Sequence, residues 1–327
     1  MNTNTNPDVP VFQFIHTCKR FPGMDSYAVH DVSLSIKPGE FITILGTSGS
    51  GKTTLMKMVN RLYDITDGDI LFHGQSVREQ PEVEYRRKIG YVVQQSGLFP
   101  HMSVADNIAV VPKILKWDKT RIAARVNELL TLVGLDPAVY AKRFPRQLSG
   151  GQQQRVGIAR ALAANPSAML MDEPFGAIDA ITRETLQNEL LRIQKSTGKS
   201  ILFVTHDIGE AFKLGDRVII MHGGELQQFD TPANIVLHPA NEFVARLVGA
   251  DDPMERVKVV CVSSLADKSK KADCSLSLEG SSTINDALPF LLAHPAEDIA
   301  ICNNGELIGM LDRTRLADLM KKQEVSL

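Results

Sequence analysis

The stretch "FITILGTSGSGKTT", residues 41 to 54, decides the fold. It begins as an apolar strand, continues as a loop rich in glycine and serine, and opens a helix near Lys52. Glycine adopts the backbone conformations that aim successive N–H groups at one anion, and the positive end of a helix dipole adds to the attraction. In this strand–loop–helix context the pattern G-x-x-x-x-G-K-[ST] predicts a phosphate-binding loop rather than an ordinary glycine-rich turn.

We expect this loop to bind a nucleotide. Lys52 is predicted to reach the β- and γ-phosphates, and the Thr53 hydroxyl is predicted to coordinate Mg²⁺. The predicted nucleotide-binding residues of the loop are Gly46, Thr47, Ser48, Gly49, Ser50, Gly51, Lys52, Thr53 and Thr54.

Strand and helix patterns alternate from about Val11 to Val248, which favours an α/β domain with a mostly parallel sheet. Two further apolar strands, "SAMLMDEP" and "SILFVTHD", end in polar residues. Because ligands lie beyond the carboxyl ends of the strands in such sheets, these polar ends are expected to meet at one site.

Three residues at these strand ends are candidates for hydrolytic chemistry. Asp172 is predicted to hold Mg²⁺ and Glu173 to polarise an attacking water, while a surface Asp-Glu turn is the alternative. His206 is predicted to donate a hydrogen bond to a γ-phosphate oxygen, while a structural histidine is the alternative.

Composition narrows the functional class. The chain has 327 residues, 43% hydrophobic and 23% charged, which fits a globular protein of two domains. A net charge of -2 gives no reason to expect nucleic-acid binding. The four cysteines lack paired spacing, so we expect reduced thiols in the cytosol. We expect neither a signal peptide nor a membrane-spanning segment, so any membrane role requires a partner.

A boundary is predicted near "LVGADDPMERVK". Beyond it the patterns predict a helix capped by Ser282 or Thr283, a hairpin turning at Asn304-Gly305, and a final helix, in a small β-α-β-β-α unit.

The ordered motifs resemble those of the ABC-transporter ATPases, and the resemblance covers about Val11 to Val248. The decisive motif is "LSGGQ", residues 148 to 152, which lies between the phosphate loop and "MDEP". By this resemblance the loop is the Walker A motif, Asp172 and Glu173 form Walker B, and His206 is the switch histidine. The remaining implied site residues are the metal-binding and catalytic Q-loop residue Gln94, the signature residues Ser149, Gly150, Gly151 and Gln152, the D-loop residue Asp179, and the adenine-stacking residue Phe21, where the family more often has tyrosine.

The resemblance also implies that two ATP-binding domains pair head to tail, each signature loop capping the ATP bound by the other Walker A loop. Ser149 and the following glycines fit this role, because they open a helix whose N–H groups attract an anion. One set of motifs in the chain implies a homodimer, or pairing with a sister chain. The implied cofactors are ATP and Mg²⁺.

The family inserts a helical subdomain, here about residues 95–165, that receives a permease subunit. Within the family, "LYDITDGDILFHGQSV" and "PFGAIDAITRETLQNELLRIQ" are similar to ATPases of importers for glycine betaine, choline, carnitine or proline. The resemblance implies a peripheral protein at the cytoplasmic face of the membrane, working with a permease and, indirectly, with an extracytoplasmic solute-binding protein. An importer of another solute such as an amino acid, a soluble ABC protein of translation or DNA repair, and a nucleotide sensor without turnover are the alternatives.

The last part of the chain resembles a single CBS motif, from about Ser281 to Lys322, with a degenerate partner strand in "RVKVVCV". The predicted domains are therefore an ATP-binding domain, 1–250, and a CBS-like tail, 251–327. Asp312 and Arg315 stand where nucleotide-binding CBS motifs have threonine and aspartate. A regulatory sensor and a dimerisation appendage are both left open.

Overall fold

The computed structural model describes residues 9–93, 97–176, 178–270, 276–303 and 305–321. The chain divides into two compact units, with the division between Leu226 and Gln227. The boundary expected between residues 250 and 251 falls inside the second unit. As a functional division it stays a prediction.

The chain up to residue 230 forms one ten-stranded sheet. Its strands are β1 (Phe12–Lys19), β2 (Val29–Ile36), β3 (Phe41–Gly46), β4 (Asp67–Phe72), β5 (Gln75–Ser76), β6 (Ile89–Val92), β7 (Ala168–Asp172), β8 (Ser200–Val204), β9 (Arg217–His222) and β10 (Glu225–Asp230). They lie in the order β5-β4-β1-β2-β10-β9-β3-β8-β7-β6.

The middle of this sheet is parallel. Ile44 of β3 pairs with Val204 of β8 on one side and with Ile219 of β9 on the other. Every residue of β3 and of β8 is buried, as expected for strands covered on both faces. Strands β1, β2, β4 and β5 pair antiparallel at the other end. The predicted α/β fold with a mixed sheet is confirmed.

Along the sequence, the helices of the first unit alternate with these strands. They are α1 (Lys52–Val59), α2 (Glu82–Arg87), α3 (Val104–Ile114), α4 (Lys119–Leu132), α5 (Pro137–Tyr140), α6 (Gly150–Leu162), α7 (Ala180–Thr197) and α8 (Ile208–Leu214). Helices α3 to α6 fall between β6 and β7 and form the inserted helical part. A short 3-10 helix, Pro145–Gln147, precedes α6.

Side-chain caps fix where the inserted helices begin. Ser103 accepts a hydrogen bond from the Asp106 N–H at the start of α3, and Asp118 accepts one from the Arg121 N–H at the start of α4. Helix α4 then buries Val126, Leu129 and Leu130 in the core of the first unit.

The second unit has its own hydrophobic core and its own four-stranded sheet, in the order β11-β14-β13-β12. Its elements are α9 (Pro232–Leu237), α10 (Glu242–Val248), α11 (Pro253–Val259), β11 (Ala266–Asp267), β12 (Ser277–Glu279), α12 (Ile284–Ala293), β13 (Ala300–Asn303), β14 (Glu306–Leu311) and α13 (Arg313–Met320), with a 3-10 helix at Val262–Leu265.

The expected β-α-β-β-α order is present from β12 to α13. Thr283, one of the two expected caps, accepts a hydrogen bond from the Asp286 N–H. Strands β13 and β14 pair antiparallel, while Asn304 lies outside the described residues. The expectation of a strand in "RVKVVCV" is wrong. Asp252 caps a helix and Pro253 occupies its first turn, so most of this stretch becomes α11.

Among the residues described, no helix combines the length and the apolar character that crossing a membrane requires.

Candidate nucleotide site

The phosphate loop connects the buried strand β3 to helix α1. Gly49 and Gly51 have φ values of 76° and 96°, in the left-handed region that favours glycine. A Cβ atom at Gly51 would lie 2.5 Å from the carbonyl oxygen of Ala28. Position 51 therefore requires glycine both for its backbone conformation and for the space beside it.

Lys52 closes the loop from inside. Its ammonium group donates hydrogen bonds to the carbonyl oxygens of Gly46 and Thr47, each at 2.8 Å. Burial lowers the pKa of Lys52, while the carboxylates of Glu173 and Asp172 act in the opposite direction. The cation is thus held at the base of the loop, on the side of the two acidic residues.

The loop borders a cavity of about 410 Å³. The buried Ser50 hydroxyl has no hydrogen-bond partner among the described residues. An unpaired polar atom, a buried ammonium group and a helix N-terminus suit a phosphate chain. The residues lining the cavity are Ala28, Ser48, Gly49, Ser50, Gly51, Lys52, Thr53, Thr54, Glu173 and His206.

Two side chains whose oxygen atoms could bind a metal ion lie next to each other beside this cavity. The Thr53 hydroxyl donates a hydrogen bond of 3.1 Å to Asp172, which ends strand β7. Burial raises the pKa of Asp172, the Thr53 hydrogen bond lowers it, and the neighbouring Glu173 raises it. A hydroxyl and a carboxylate are hard oxygen ligands, so the pair fits Mg²⁺.

Glu173 and His206 meet at the edge of the cavity. Glu173 has φ of 43°, unusual for a residue with a side chain, and its N–H donates to the Val204 carbonyl oxygen at 3.1 Å. Its carboxylate lies 3.5 Å from Nδ1 of His206, whose side chain is 66% exposed. The structure therefore brings both predicted catalytic side chains to the predicted phosphate loop.

The signature loop is exposed at the start of α6. Ser149 accepts a hydrogen bond from the Gln152 N–H, and the Gln152 side chain accepts one from the Ser149 N–H, in a capping box. Gly150 is exposed, and a Cβ atom there would meet nothing within 4 Å. A Cβ atom on Gly151 would lie 2.8 Å from a methyl group of Thr182, so this glycine permits close packing of α6 against α7.

Several predicted site residues do not line this cavity. Asp179 is exposed and caps α7 by accepting from the Thr182 N–H, and Phe21 packs edge-on against Tyr63 with ring centroids 5.2 Å apart. Gln94 lies outside the described residues. The predicted residues missing from the cavity lining, apart from Gln94, are Phe21, Gly46, Thr47, Ser149, Gly150, Gly151, Gln152, Asp172 and Asp179, of which Asp172 is hydrogen-bonded to the lining residue Thr53.

Sequence reasoning missed two features of the first unit. Ala28 lines the cavity although it belongs to no motif. An apolar groove of about 590 Å³ lies beside the inserted helices, lined in part by Phe99, Val111 and Ile114 and carrying the cations Arg86, Arg87 and Arg160. An aromatic and aliphatic run in "SGLFPHMSVADNIAVVPKILKW" was the available signal, but the cations come from elsewhere in the chain.

The fold and the site together define a phosphate-loop ATP-binding protein. The sequence profile of the ABC transporter family matches residues 29–176. Relatives in that family share more than 40% identity over most of the chain. The chain belongs to the ABC transporter family and is a transport ATPase.

Two relatives and one solved structure show the range of the similarity. The carnitine transport ATP-binding protein OpuCA of Listeria monocytogenes is 47% identical over 279 residues, covering 82% of this chain and 70% of the relative. The glycine betaine uptake system ATP-binding protein YehX of Escherichia coli is 43% identical over 305 residues, covering 92% of this chain and 97% of the relative. A dimeric ATP-binding cassette, in a post-hydrolysis state bound to ADP and Pi, superposes with a TM-score of 0.60 at 35% identity, covering 67% of this chain and 98% of that one.

Proposed function

We propose that this chain is the ATPase subunit of an importer for osmoprotectants such as glycine betaine, carnitine, choline or proline. The observation that carries the proposal is its similarity, along nearly the whole length of one relative, to ATPases whose names specify carnitine and glycine betaine transport. Both solutes carry a quaternary ammonium group, which choline also has, so this cationic group is the chemistry that these three solutes share.

Within the proposed site each residue has a distinct role. Lys52 and the N–H groups of the loop bind the phosphates, and Phe21 stacks on adenine. Glu173 accepts a proton from the attacking water, and His206 donates a hydrogen bond to the γ-phosphate as negative charge develops. The contact between Glu173 and His206, 3.5 Å long, supports a shared task for these side chains.

Thr53, Asp172 and Gln94 are the proposed ligands of Mg²⁺. When it is bound with ATP, the ion would neutralise part of the negative charge of the phosphates. The hydrogen bond from Thr53 to Asp172 already brings two of the three side chains together. Burial raises the pKa of Asp172, because the carboxylate is only partly solvated. A cation bound beside this carboxylate would compensate for the missing solvation.

We further propose that two copies of the chain complete each other's nucleotide sites. The capped N-terminus of α6 supports this, because Ser149 and Gly150 are exposed there and do not line the cavity of their own chain. Ser149, Gly150, Gly151 and Gln152 would then contact the γ-phosphate held by the Walker A loop of the partner, and Asp179 would lie at the same interface.

The permease is the proposed occupant of the apolar groove beside the inserted helices. Its apolar walls suit a short amphipathic helix. A permease docked there would hold the protein at the cytoplasmic face of the membrane. The second unit is proposed as a regulatory or dimerisation tail of the CBS type.

The test is reconstitution of the chain with its permease and solute-binding protein in vesicles. ATP hydrolysis should rise on addition of glycine betaine, carnitine, choline or proline and stay at its basal level with an amino acid such as glutamine. The variant Glu173→Gln, assembled in the same complex, should show no stimulation. Stimulation by glutamine but by none of the four osmoprotectants would contradict the proposed solute class.

A further inference from the structure

A buried glutamate lies behind the candidate site without a role in the chemistry described above. Glu210 belongs to α8, which follows strand β8 and His206, and only 7% of its surface is exposed. It is absent from the lining of the nucleotide cavity. Ionisable residues are rarely buried unless they are paired or hydrogen-bonded, so its contacts need an explanation.

The first contact of Glu210 is with the residue before His206. The buried Thr205 hydroxyl donates a hydrogen bond to Oε2 of Glu210. The same hydroxyl accepts a hydrogen bond of 3.1 Å from the N–H of Asp207, the residue after His206. The Thr205 hydroxyl group thus connects the Glu210 carboxylate to the backbone of Asp207, on the other side of His206 in the sequence.

The residue after His206 is fixed from the same helix. The Asp207 carboxylate caps α8 by accepting a hydrogen bond of 2.9 Å from the N–H of Glu210. The other oxygen of Asp207 lies 3.8 Å from the guanidinium group of Arg183. Both neighbours of His206 are therefore bonded to Glu210, one through the glutamate side chain and one through its backbone.

The second carboxylate oxygen of Glu210 reaches a different element. The Gln187 side chain, on α7, donates a hydrogen bond of 3.2 Å to Oε1 of Glu210. Gln187 is itself buried. Because Asp179 caps the start of α7, the glutamate connects the helix that follows the predicted D-loop to the loop that carries the predicted switch histidine.

This arrangement leads directly to the catalytic pair. His206 is mostly exposed, so surrounding side chains restrain its ring little, and its position depends on the backbone of residues 205 to 207. A water-sized cavity of about 30 Å³ lies between the glutamate and that pair, and its lining includes Glu173, Arg183, Thr205, His206 and Glu210.

We infer that Glu210 is a positioning residue for ATP hydrolysis, which holds His206 against Glu173 through Thr205 and ties that loop to α7 through Gln187. The inference rests on the proposed roles of Glu173 and His206. It adds a buried linkage through which displacement of α7 at a dimer interface would reach the histidine.

Position 210 presents two acceptors, because Thr205 and Gln187 both donate to the Glu210 carboxylate. A carboxamide at this position still accepts from Thr205, and the Gln187 amide can turn over to accept from its N–H group, whereas an aliphatic side chain satisfies neither. Burial raises the pKa of Glu210 above its ordinary value, and the hydrogen bonds from Thr205 and Gln187 oppose this rise. Leucine at this position has a similar size and no acceptor.

The test uses the full-length chain and compares three variants in steady-state ATP hydrolysis. Glu210→Leu, which removes both acceptors, should lower kcat by about 10- to 100-fold, the range expected for a misplaced catalytic group, without changing the affinity for ATP. Glu210→Gln keeps an acceptor for Thr205 and can pair with Gln187 when that amide turns over, so this conservative variant should retain most of kcat. Thr205→Val should reproduce the loss with a milder effect on folding.

Gln194→Leu is the matched control, because Gln194 lies on the same helix and donates a buried hydrogen bond of 2.6 Å to the Gly39 carbonyl oxygen. It should lower the melting temperature and leave kcat unchanged. Unchanged kcat in Glu210→Leu, a parallel loss of ATP affinity, or an equal loss of kcat in Glu210→Gln would overturn the inference. Absence of hydrolysis by the wild-type chain, alone and in the reconstituted complex, would instead overturn the proposed function.

Discussion

At the scale of single residues, the nucleotide site contains charged side chains that are only partly solvated. Asp172 ends a buried strand with one hydrogen bond from Thr53, and Lys52 is turned toward two carbonyl oxygens of its own loop. Burial opposes the charged form of both side chains, raising the pKa of Asp172 and lowering that of Lys52. These groups reduce the stability of the nucleotide-free chain and become favourable when a counter-charge binds.

This argument predicts that Asp172→Asn stabilises the nucleotide-free chain. The folded-state pKa of Asp172 lies above its ordinary value of 3.8, so as pH rises the unfolded state releases the proton before the folded state does. Stability is therefore lost as pH rises through this interval, and the loss persists at neutral pH. Asparagine keeps the hydrogen bond to Thr53 without the charge, so the melting temperature at neutral pH should rise by about 1–3 °C.

The measurement is thermal unfolding of both chains without nucleotide, between about pH 4 and about pH 8. The exposed Asp25→Asn serves as the control and should leave the melting temperature unchanged. Adding Mg²⁺ and ATP should reverse the order of stability, because the variant lacks a metal ligand. A lower melting temperature for nucleotide-free Asp172→Asn at neutral pH would contradict the argument.

Single motifs allowed much of the cavity to be predicted from the sequence. Lys52, Thr53, Asp172, Glu173 and His206 follow from local patterns at strand ends, and the structure brings them together. The left-handed backbone of Glu173 and the buried partners of Glu210 were not predictable in this way. They depend on packing between segments distant in sequence, which no local spacing records.

At the scale of elements, glycine controls how closely the signature helix packs. Helices α6 and α7 approach where Gly151 faces Thr182, while neighbouring Gly150 faces open space. The sequence predicts both glycines as contacts of the nucleotide. It does not predict that only one of them also determines the spacing of two helices, because that depends on the tertiary contact.

The pair allows a controlled test of stability. Gly151→Ala should lower the free energy of unfolding by about 1–3 kcal/mol, the usual effect of overpacking, because threonine is branched and cannot move away easily. Gly150→Ala adds the same methyl group without a clash and should leave stability equal or slightly higher. Urea unfolding of the two variants checks this, and equal stability of both would show that the close contact is unimportant.

The stretch "RVKVVCV" shows why local pattern fails for some elements. Its alternating valines are typical of a strand, yet Asp252 and Pro253 start a helix that continues to Val259. Capping hydrogen bonds and burial of Val257 outweigh the intrinsic preference of valine. The capping residues were present in the sequence, so greater weight on helix-start signals would have predicted α11.

At the scale of the whole molecule, the two units have separate cores, and the four-stranded sheet lies entirely within the second unit. Buried Arg256 is central to the second unit, where its guanidinium group donates to the carbonyl oxygens of Ala250, Leu319 and Lys321. Removing it leaves three carbonyl groups short of a donor. All residues that line the nucleotide cavity belong to the first unit.

We therefore expect Arg256→Met to loosen the second unit while leaving the affinity for ATP unchanged. The loss of buried hydrogen bonds should cost about 1–3 kcal/mol or more, and should increase hydrogen exchange across α11 and α13. Arg246→Met, which removes an exposed ion pair on α10, is the control and should change neither property. Weaker ATP binding by Arg256→Met would show that the nucleotide site depends on the second unit.

The central claim is that each nucleotide site is completed by a second copy of the chain. The most direct measurement is a crosslink in chains that carry Glu173→Gln and lack their native cysteines. Ser149→Cys is introduced in a tagged chain, Ser48→Cys in an untagged chain, and the mixture is treated with a short bifunctional thiol reagent. Saturating ATP and Mg²⁺ should give a crosslinked product containing both chains, and ADP should give little. With ATP binding verified, failure of Ser149→Cys to crosslink to the partner chain would contradict the account.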